Sequence, residues 1–577
     1  MKKIIIFLIA AVFVSCDMFH NTDIGNMLET AQGTIVFNWA AVNPDLYSVK
    51  TYTNLTLTAK VTGTDAKIVS VEADLTPVGM GILSLEQSGD IWSNQVWVKT
   101  VTPGNFTIVF NAVNEYGKSV QFSNNIRVFQ NEAIYVAGWG DDTNSGITNS
   151  SPVRTILKAA QLYELNGAGE IRVATGVYDD YFNNYCVLMK AGMIIRGGYD
   201  NTFAVNDPAL YPTKIDGLSG NVLHVIVAVD GGKCTLDGLI ISRGIANDDF
   251  LFGKHGGGVL VLGTEMVIKN CIIESNYALQ CGGGIYVMSG SVTISNTLFR
   301  QNIAMSQGGA CFLYDVAMAD IDTVMITNTY AESGGGIYGK NVALFTMDNS
   351  ILADVTSKKS GAGVFLENGN FYMNKTAFNL CKNSGGTSGQ TYGGIARFNQ
   401  GNLVMKYCVL SNNISSNYGA GQGITGAGVY VGAMTNFLIL FSKFYHTVAS
   451  TDYNSHGAAL AISGVCYNGS IISNEFIMNS NFVSSGIDYN YNGAAICLDW
   501  AYQTSINYNL FDNNFKRTIY EGIEDYVPKS LKFNIFINSP ILYYDSSAGN
   551  ITSISALNSL DENGYNSAGS VSGNTTN

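Results

Sequence analysis

Five residues in one short stretch carry the groups that acid–base chemistry needs: Arg243, Asp248, Asp249, Lys254 and His255. A lyase or hydrolase requires a base and charge stabilisers converging on one groove. Adjoining carboxylates can hold and release a proton, and a cation beside a carboxylate can take a sugar proton. The same five residues also suit a solvated polar loop, and their spacing alone does not choose. A second set, Tyr392, Tyr418, Tyr453, Tyr489 and Tyr491, lies in stretches rich in Asn and Ser. The C–H face of a sugar packs on aromatic rings while its hydroxyls bond to amides, so these are candidate ligand contacts. Exposed tyrosines without a ligand are the other reading. The ten cysteines show no C-x-x-C, and the histidines at 20, 224, 255, 446 and 456 stand at no ligand spacing from them. No metal and no cofactor is therefore expected. Cys186, Cys234, Cys271, Cys408 and Cys497 sit in apolar runs and read as buried thiols.

What would position these groups is a repeat. Gly256-Gly257-Gly258-Val259, Gly282-Gly283-Gly284-Ile285, Gly308-Gly309-Ala310-Cys311 and Gly334-Gly335-Gly336-Ile337 begin 26 residues apart three times running. Blocks at Gly361, Gly393, Gly426, Gly457 and Gly493 follow, with the last four intervals at 31–36. Between them recurs apolar-x-x-Asn: Ile273/Asn276, Phe299/Asn302, Met325/Asn328, Leu410/Asn413, Phe476/Asn479 and Phe511/Asn514, with Asp354 in the same frame. A period of this length, strand-sized apolar runs and no helical pattern make each repeat one coil of a solenoid. Apolar side chains then stack inside, and the Asn form an amide ladder interrupted at Cys381 and Thr447. About thirteen coils between residues 170 and 540 give a rod of roughly 60 Å. The extra length of the later coils enters between the ladder residue and the next glycine block, so the long loops should share one corner beside a shallow groove.

The remaining chain divides around this body. Residues 1–16 read as an export signal: Lys2-Lys3, an apolar stretch from Ile4 to Val14, then Ser15-Cys16. It is similar to a lipoprotein signal, with Phe13 where that family usually has Leu, and the resemblance implies lipidation at Cys16. A polar linker (17–32) leads to short alternating runs over 33–130, whose stretch Asn105 to Gly117 resembles the closing hairpin of bacterial immunoglobulin-like domains. From 133 the solenoid segment runs to 545. It opens with a helix at 151–166, for which Ser151 and Pro152 supply the start signals, and a Ser/Gly/Asn-rich flexible tail covers 546–577. A formal charge of -13 with no Lys/Arg block after Lys3 argues against nucleic acid.

The Gly-Gly-x-Ile and Phe-x-x-Asn tetrapeptides resemble the repeats of chlamydial-type polymorphic outer membrane proteins. The run Gly197 to Gly217, extended by Leu236-Asp237-Gly238, is similar to bacterial surface proteins of the pectin-lyase-like fold. Together these resemblances imply an all-β chain: a right-handed parallel β-helix preceded by a small immunoglobulin-like β-sandwich. They imply a lipid-anchored protein of the outer membrane or cell surface that displays loops toward a polysaccharide, host or matrix ligand. The alternative is a polysaccharide lyase or glycoside hydrolase. Lys254-His255-Gly256 only partly matches the Gly-His-Gly of polygalacturonases, and their Arg-Ile-Lys is missing.

Overall fold

The computed structural model describes residues 34–576 apart from 51, 101, 219–221, 230, 250–251, 386–390, 418–422, 452–454, 484–490, 502–503, 516, 522–529, 546–548, 560–569 and 573. The expected signal segment, Cys16 and the linker lie outside the described residues. The chain forms two compact units, Met1–Glu132 with Glu164–Gly169, and Ala133–Tyr163 with Glu170–Asn577.

In the first unit two sheets face one another. One orders the strands Thr34–Asn43, Thr53–Thr64, Ile91–Val98 and Glu86–Ser88; the other orders Leu46–Ser48, Ser119–Phe129, Gly104–Asn114, Ile68–Asp74 and Ile82–Ser84. Alternation along Thr53–Thr64 sends Leu55, Leu57 and Ala59 inward against Ile108 and Phe110 of the facing sheet, all fully buried. The hairpin expected near 105–117 is present: Gly104–Asn114 pairs antiparallel with Ser119–Phe129. The Asn114 carboxamide oxygen closes its turn by accepting the N–H groups of Tyr116 and Lys118 at 3.1 and 3.0 Å.

The second unit is a right-handed parallel β-helix. Face I follows each glycine block (Val259–Leu262, Ile285–Met288). Face II (Glu265–Lys269), face III (Ile272–Glu274) and the two-residue face IV (Tyr277–Ala278) come next. Each pairs in parallel with its equivalent one coil later: Val259 with Ile285, Glu265 with Ser291, Ile273 with Phe299, Tyr277 with Ile303. The 26-residue blocks are therefore stacked rungs. In the longer coils a face V is added at the corner before the glycines: Thr391–Tyr392, Ile424–Thr425, Ser455–His456 and Tyr491–Asn492.

Stacking puts like beside like in the core. On face III the inward column reads Phe444, Phe476, Phe511, Phe536, with ring centroids 4.7, 5.2 and 5.0 Å apart and planes within 15°. Single residues in left-handed conformation turn the chain at both ends of face III, for example Asn270 (φ 54°) and Ser275 (φ 55°). The residue after each turn points inward and forms the amide ladder. Asn276 donates to the Ile241 carbonyl (3.1 Å) and to Asn302 Oδ1 (3.1 Å), while its own oxygen accepts the Gly244 N–H (3.0 Å). Each side chain thus saturates corner groups that the dry interior would otherwise leave without partners.

The ladder's frame differs from the sequence expectation in two coils. Ile326 is fully buried and Met325 is exposed, so Thr329 and Val355 occupy the ladder while Asn328 and Asp354 serve as the left-handed corner residues, each with φ 53°. Both frames satisfy apolar-x-x-Asn, and only burial separates them. Cys381 and Thr447 do interrupt the ladder. A second ladder, at the other end of face III, escaped the sequence reading: Asn474, Asn509, Asn534 and Asn574.

Two boundaries need correction. The helix spans Ile156–Leu165 rather than 151–166. Val153 instead bridges Val136 in parallel, and Thr155 caps the helix by accepting the Lys158 N–H at 3.1 Å. Asp142 secures that cap, accepting from the Arg154 and Thr155 N–H groups and the Thr155 hydroxyl at 2.8–2.9 Å. Tyr163 then donates to the Gly192 carbonyl (2.6 Å) at the first coil. The segment expected to be a flexible tail is also partly built in. Leu557 of helix Ile554–Asn558 is fully buried, Ser570–Ser572 pairs with Ser530–Lys532, and Asn574 ends the second ladder. Its low hydrophobicity conceals the one apolar and one amide side chain that the last rungs require.

Candidate functional site

The first glycine of each block decides what lies outside face I. Gly282 has φ 71°, and a Cβ there would stand 2.5 Å from the Ile285 carbonyl oxygen and 2.9 Å from the Tyr286 Cβ. Gly334 and Gly361 relate to Tyr338 and Phe365 in the same way. The chain thus bends sharply beside the second residue of face I, whose side chain points outward into a trough. In register that column reads Leu260, Tyr286, Phe312, Tyr338, Phe365, Arg397, Tyr430, Ala461, Cys497, Tyr520, Tyr544.

Over most of its length this outer column is closed on itself. Tyr286 and Phe312 stack at 5.1 Å, Phe312 and Tyr338 at 5.4 Å, and the exposures of Tyr286 through Phe365 are only 4–6%. Arg397 continues the stack as a cation, 4.5 Å from the Phe365 centroid and 5.3 and 5.5 Å from those of Tyr392 and Tyr430. Its burial depresses the guanidinium pKa, and the surrounding rings and Glu367 work against that. Rings so paired have no face left for a ligand.

The column breaks once. Small residues, Ala461 and Cys497, follow Tyr430, and rings resume at Tyr520, which stacks on Tyr544 at 4.9 Å. Three rung steps from Tyr430 to Tyr520 amount to about 14 Å. Polar groups gather in this interval. Asp499, two residues beyond Cys497, points into the same trough, and Ser463 stands beside it in register. His456 arrives from face V one rung earlier, its ring 6.4 Å from that of Tyr520. Ligand-type atoms of His456, Cys497 and Asp499 all lie within 4.8 Å of one another. Burial pushes the Asp499 carboxyl up and the His456 imidazole down, each partly offset by the other. The Cys497 thiol is raised well above its ordinary value by burial and by the adjoining carboxylate, to which it is hydrogen-bonded. No sequence spacing reveals this cluster, because 41 residues separate His456 from Cys497 and only stacking joins them.

The five residues expected to do acid–base chemistry do not assemble. Arg243 turns to the preceding rung and grips Asp216 with two bonds of 2.6 Å, where Lys214 also binds at 3.1 Å. Burial would raise the Asp216 pKa, but the Arg243 bond, the Leu218 N–H and Lys214 outweigh it and lower the pKa, making this carboxylate a poor base. Asp249 pairs with Lys254 inside its own loop, which the Asp248 N–H closes on the Gly253 carbonyl at 3.1 Å. His255 instead begins the aromatic column, its ring 4.7 Å from Tyr286. Of the five tyrosines, Tyr392 packs edge-on against Tyr430 at 5.3 Å. Tyr418, Tyr453 and Tyr489 lie outside the described residues, as does the side chain of Tyr491, whose backbone pairs with Ser455 in face V. The nine cysteines after Cys16 are free and buried, including Cys186, Cys234, Cys271, Cys408 and Cys497, for which the apolar context predicted it.

No protein-family model matches this sequence, and no curated protein matches it. Among solved structures, a family 28 exopolygalacturonase of Yersinia enterocolitica is 9% identical, with 91% of this chain and 96% of that one covered and a TM-score of 0.25. A tailspike protein mutant of E. coli bacteriophage HK620, in complex with a pentasaccharide, is 12% identical, with 77% and 78% covered and a TM-score of 0.25. Similarities at these scores carry no weight for activity. The fold rests on the rung pairing itself.

Proposed function

We propose that this chain is an exported carbohydrate-binding protein, and that the break in its outer aromatic column receives the sugar. The observation that carries this reading is the interval between Tyr430 and Tyr520, where Ala461 and Cys497 are fully buried, rings cease to stack on one another, and the partly exposed His456, Ser463 and Asp499 present polar groups. Aromatic faces beside a few polar groups in a trough are what a saccharide's mixed surface requires. Two-carboxylate hydrolysis is not proposed, because it needs a second acid about 5–9.5 Å from the first. Among the described residues of these rungs, Asp499 is the carboxylate that faces the trough.

Glycan-array screening followed by calorimetry tests the reading. The expected result is binding that Tyr520→Ala weakens tenfold or more with the circular dichroism unchanged. Failure to bind any glycan, or a variant within twofold of wild type, overturns it. New reducing ends or unsaturated uronate absorbance would replace binding with catalysis. The signal-like residues 1–16 support export and lipid attachment at Cys16 on the outer membrane or cell surface. Radiolabelled palmitate should enter the wild type and not Cys16→Ala.

A further inference from the structure

The same break contains a ligand set that the sugar reading does not need: an imidazole, a thiol and a carboxylate brought together from two rungs. We infer that His456, Cys497 and Asp499 form a binding site for a borderline divalent cation of the zinc type. Cys497 and Asp499 are alternate residues of one strand, so both project from the same side of face I, while His456 sits on the neighbouring rung of face V. Bonds of about 2.0–2.3 Å to N, O and S place tetrahedral ligands about 3.3–3.8 Å apart. The three side chains, whose ligand atoms already lie within 4.8 Å of one another, reach that spacing by side-chain rotation of about an ångström.

The donor types select the ion. One sulfur, one nitrogen and one oxygen suit Zn2+ or Co2+, whereas Ca2+ and Mg2+ require six or more oxygens or an octahedral shell. The thiol is hydrogen-bonded to the Asp499 carboxylate, and the imidazole lies within 4.8 Å of both groups. On metal binding the thiol proton goes to solvent and the sulfur lone pair to the cation. Among the described residues this is the one such trio, and the other eight described cysteines are in no comparable group.

This inference stands apart from the carbohydrate reading, because its readout is the metal alone. Co2+ is titrated into the reduced full chain. The expected result is a single site with a sulfur-to-cobalt charge-transfer band and tetrahedral d–d bands, displaced by Zn2+ and unaffected by excess Ca2+. Cys497→Ser should abolish the charge-transfer band. His456→Gln and Asp499→Asn should each weaken binding by at least the roughly tenfold that loss of an orienting partner costs. His456→Gln alters a half-buried side chain at the trough, so it decides the matter should Cys497→Ser not fold. A cobalt–thiolate spectrum that survives Cys497→Ser, tight binding unchanged in His456→Gln, or competition by Ca2+ would each overturn the assignment.

Discussion

Replacing Asn509 with alanine tests whether the amide ladders hold the coils together. Its side chain donates to the Ile471 carbonyl at 2.9 Å, the Asn507 carbonyl at 3.0 Å and Asn534 Oδ1 at 3.1 Å. Its oxygen accepts the Asn474 N–H at 2.9 Å and the Asn474 amide at 3.1 Å. In Asn509→Ala, Asn534 Oδ1 keeps the Asn509 backbone N–H (2.9 Å), and the Asn474 amide keeps the Ile439 carbonyl (2.9 Å). The Asn474 N–H and the Ile471 carbonyl lose these bonds in an interior that water does not enter. At about 1–3 kcal/mol for the buried Asn474 N–H left unmet and about 1 kcal/mol for the bond lost at the Ile471 carbonyl, which stays in the parallel ladder, the loss is about 2–4 kcal/mol. Asn509→Ser should cost about half as much, because this chain already uses that solution two ladder steps away. Ser442 accepts the Cys408 N–H at 3.1 Å and returns its own proton to the Leu440 carbonyl at 2.9 Å. Hydrogen exchange followed by mass spectrometry is the suitable assay, since a solenoid opens coil by coil and a single global unfolding energy is ill defined. Protection should fall in peptides covering 470–476 and 505–512 and stay unchanged near 265–300. A serine variant as damaging as alanine, or an alanine variant within about 0.5 kcal/mol of wild type, would refute the ladder's role.

Filling the break is a second perturbation. Ala461→Phe restores a ring in register next to Tyr430; a Cβ built on Gly457 would stand 3.1 Å from the Ala461 Cβ, as one built on Gly426 would from the Tyr430 Cβ. Stability should hold or rise by about 0.5–1.5 kcal/mol from new ring contacts while glycan affinity drops tenfold or more; unchanged affinity in calorimetry would count against the proposed site. Burial lowers the His224 pKa, an effect partly offset by the Gly256 and His255 backbone, and lowers that of His255, with His224 and Lys254 adding to it. Folding therefore favours the neutral rings, so stability should be level above about pH 6.5 and fall as pH drops below it toward the folded pKa values. Urea midpoints measured against pH should show this slope, and His224→Gln with His255→Gln should reduce it, leaving the share that the likewise depressed His456 contributes. Asp142→Ala removes three bonds at the helix start and should cost about 1–2 kcal/mol, read as faster exchange over 156–165.

Most of the architecture was legible because a parallel solenoid writes its rung spacing directly into the chain. Gly256, Gly282, Gly308 and Gly334 each combine a left-handed φ with space that admits no side chain, so no substitute blurs the period. The ladder frame at Asn328 was less legible, since an asparagine also suits a left-handed corner and the pattern fits both positions. The helix start was misplaced because Ser151 carries a cap signal while the competing bridge from Val153 to Val136 is a tertiary event. The site was the least legible part. Arg243 and His255 are close in sequence yet belong to different sides of one coil, whereas His456 and Asp499 are far apart yet adjacent in space. Local spacing reports on neighbours along the chain, and in this fold the neighbours that matter are one rung away.

Storey height and loop length are separate quantities in such an object. Val259 and its neighbours meet Ile285 as Ile285 meets Cys311, so excising residues 285–310 would let Cys311 settle directly on Val259. The shaft would shorten by one storey of about 4.8 Å, its ends unaltered. The coils that lead to Gly393, Gly426, Gly457 and Gly493 put their surplus residues at one corner, so their outgrowths lengthen or shrink without moving the floors above and below.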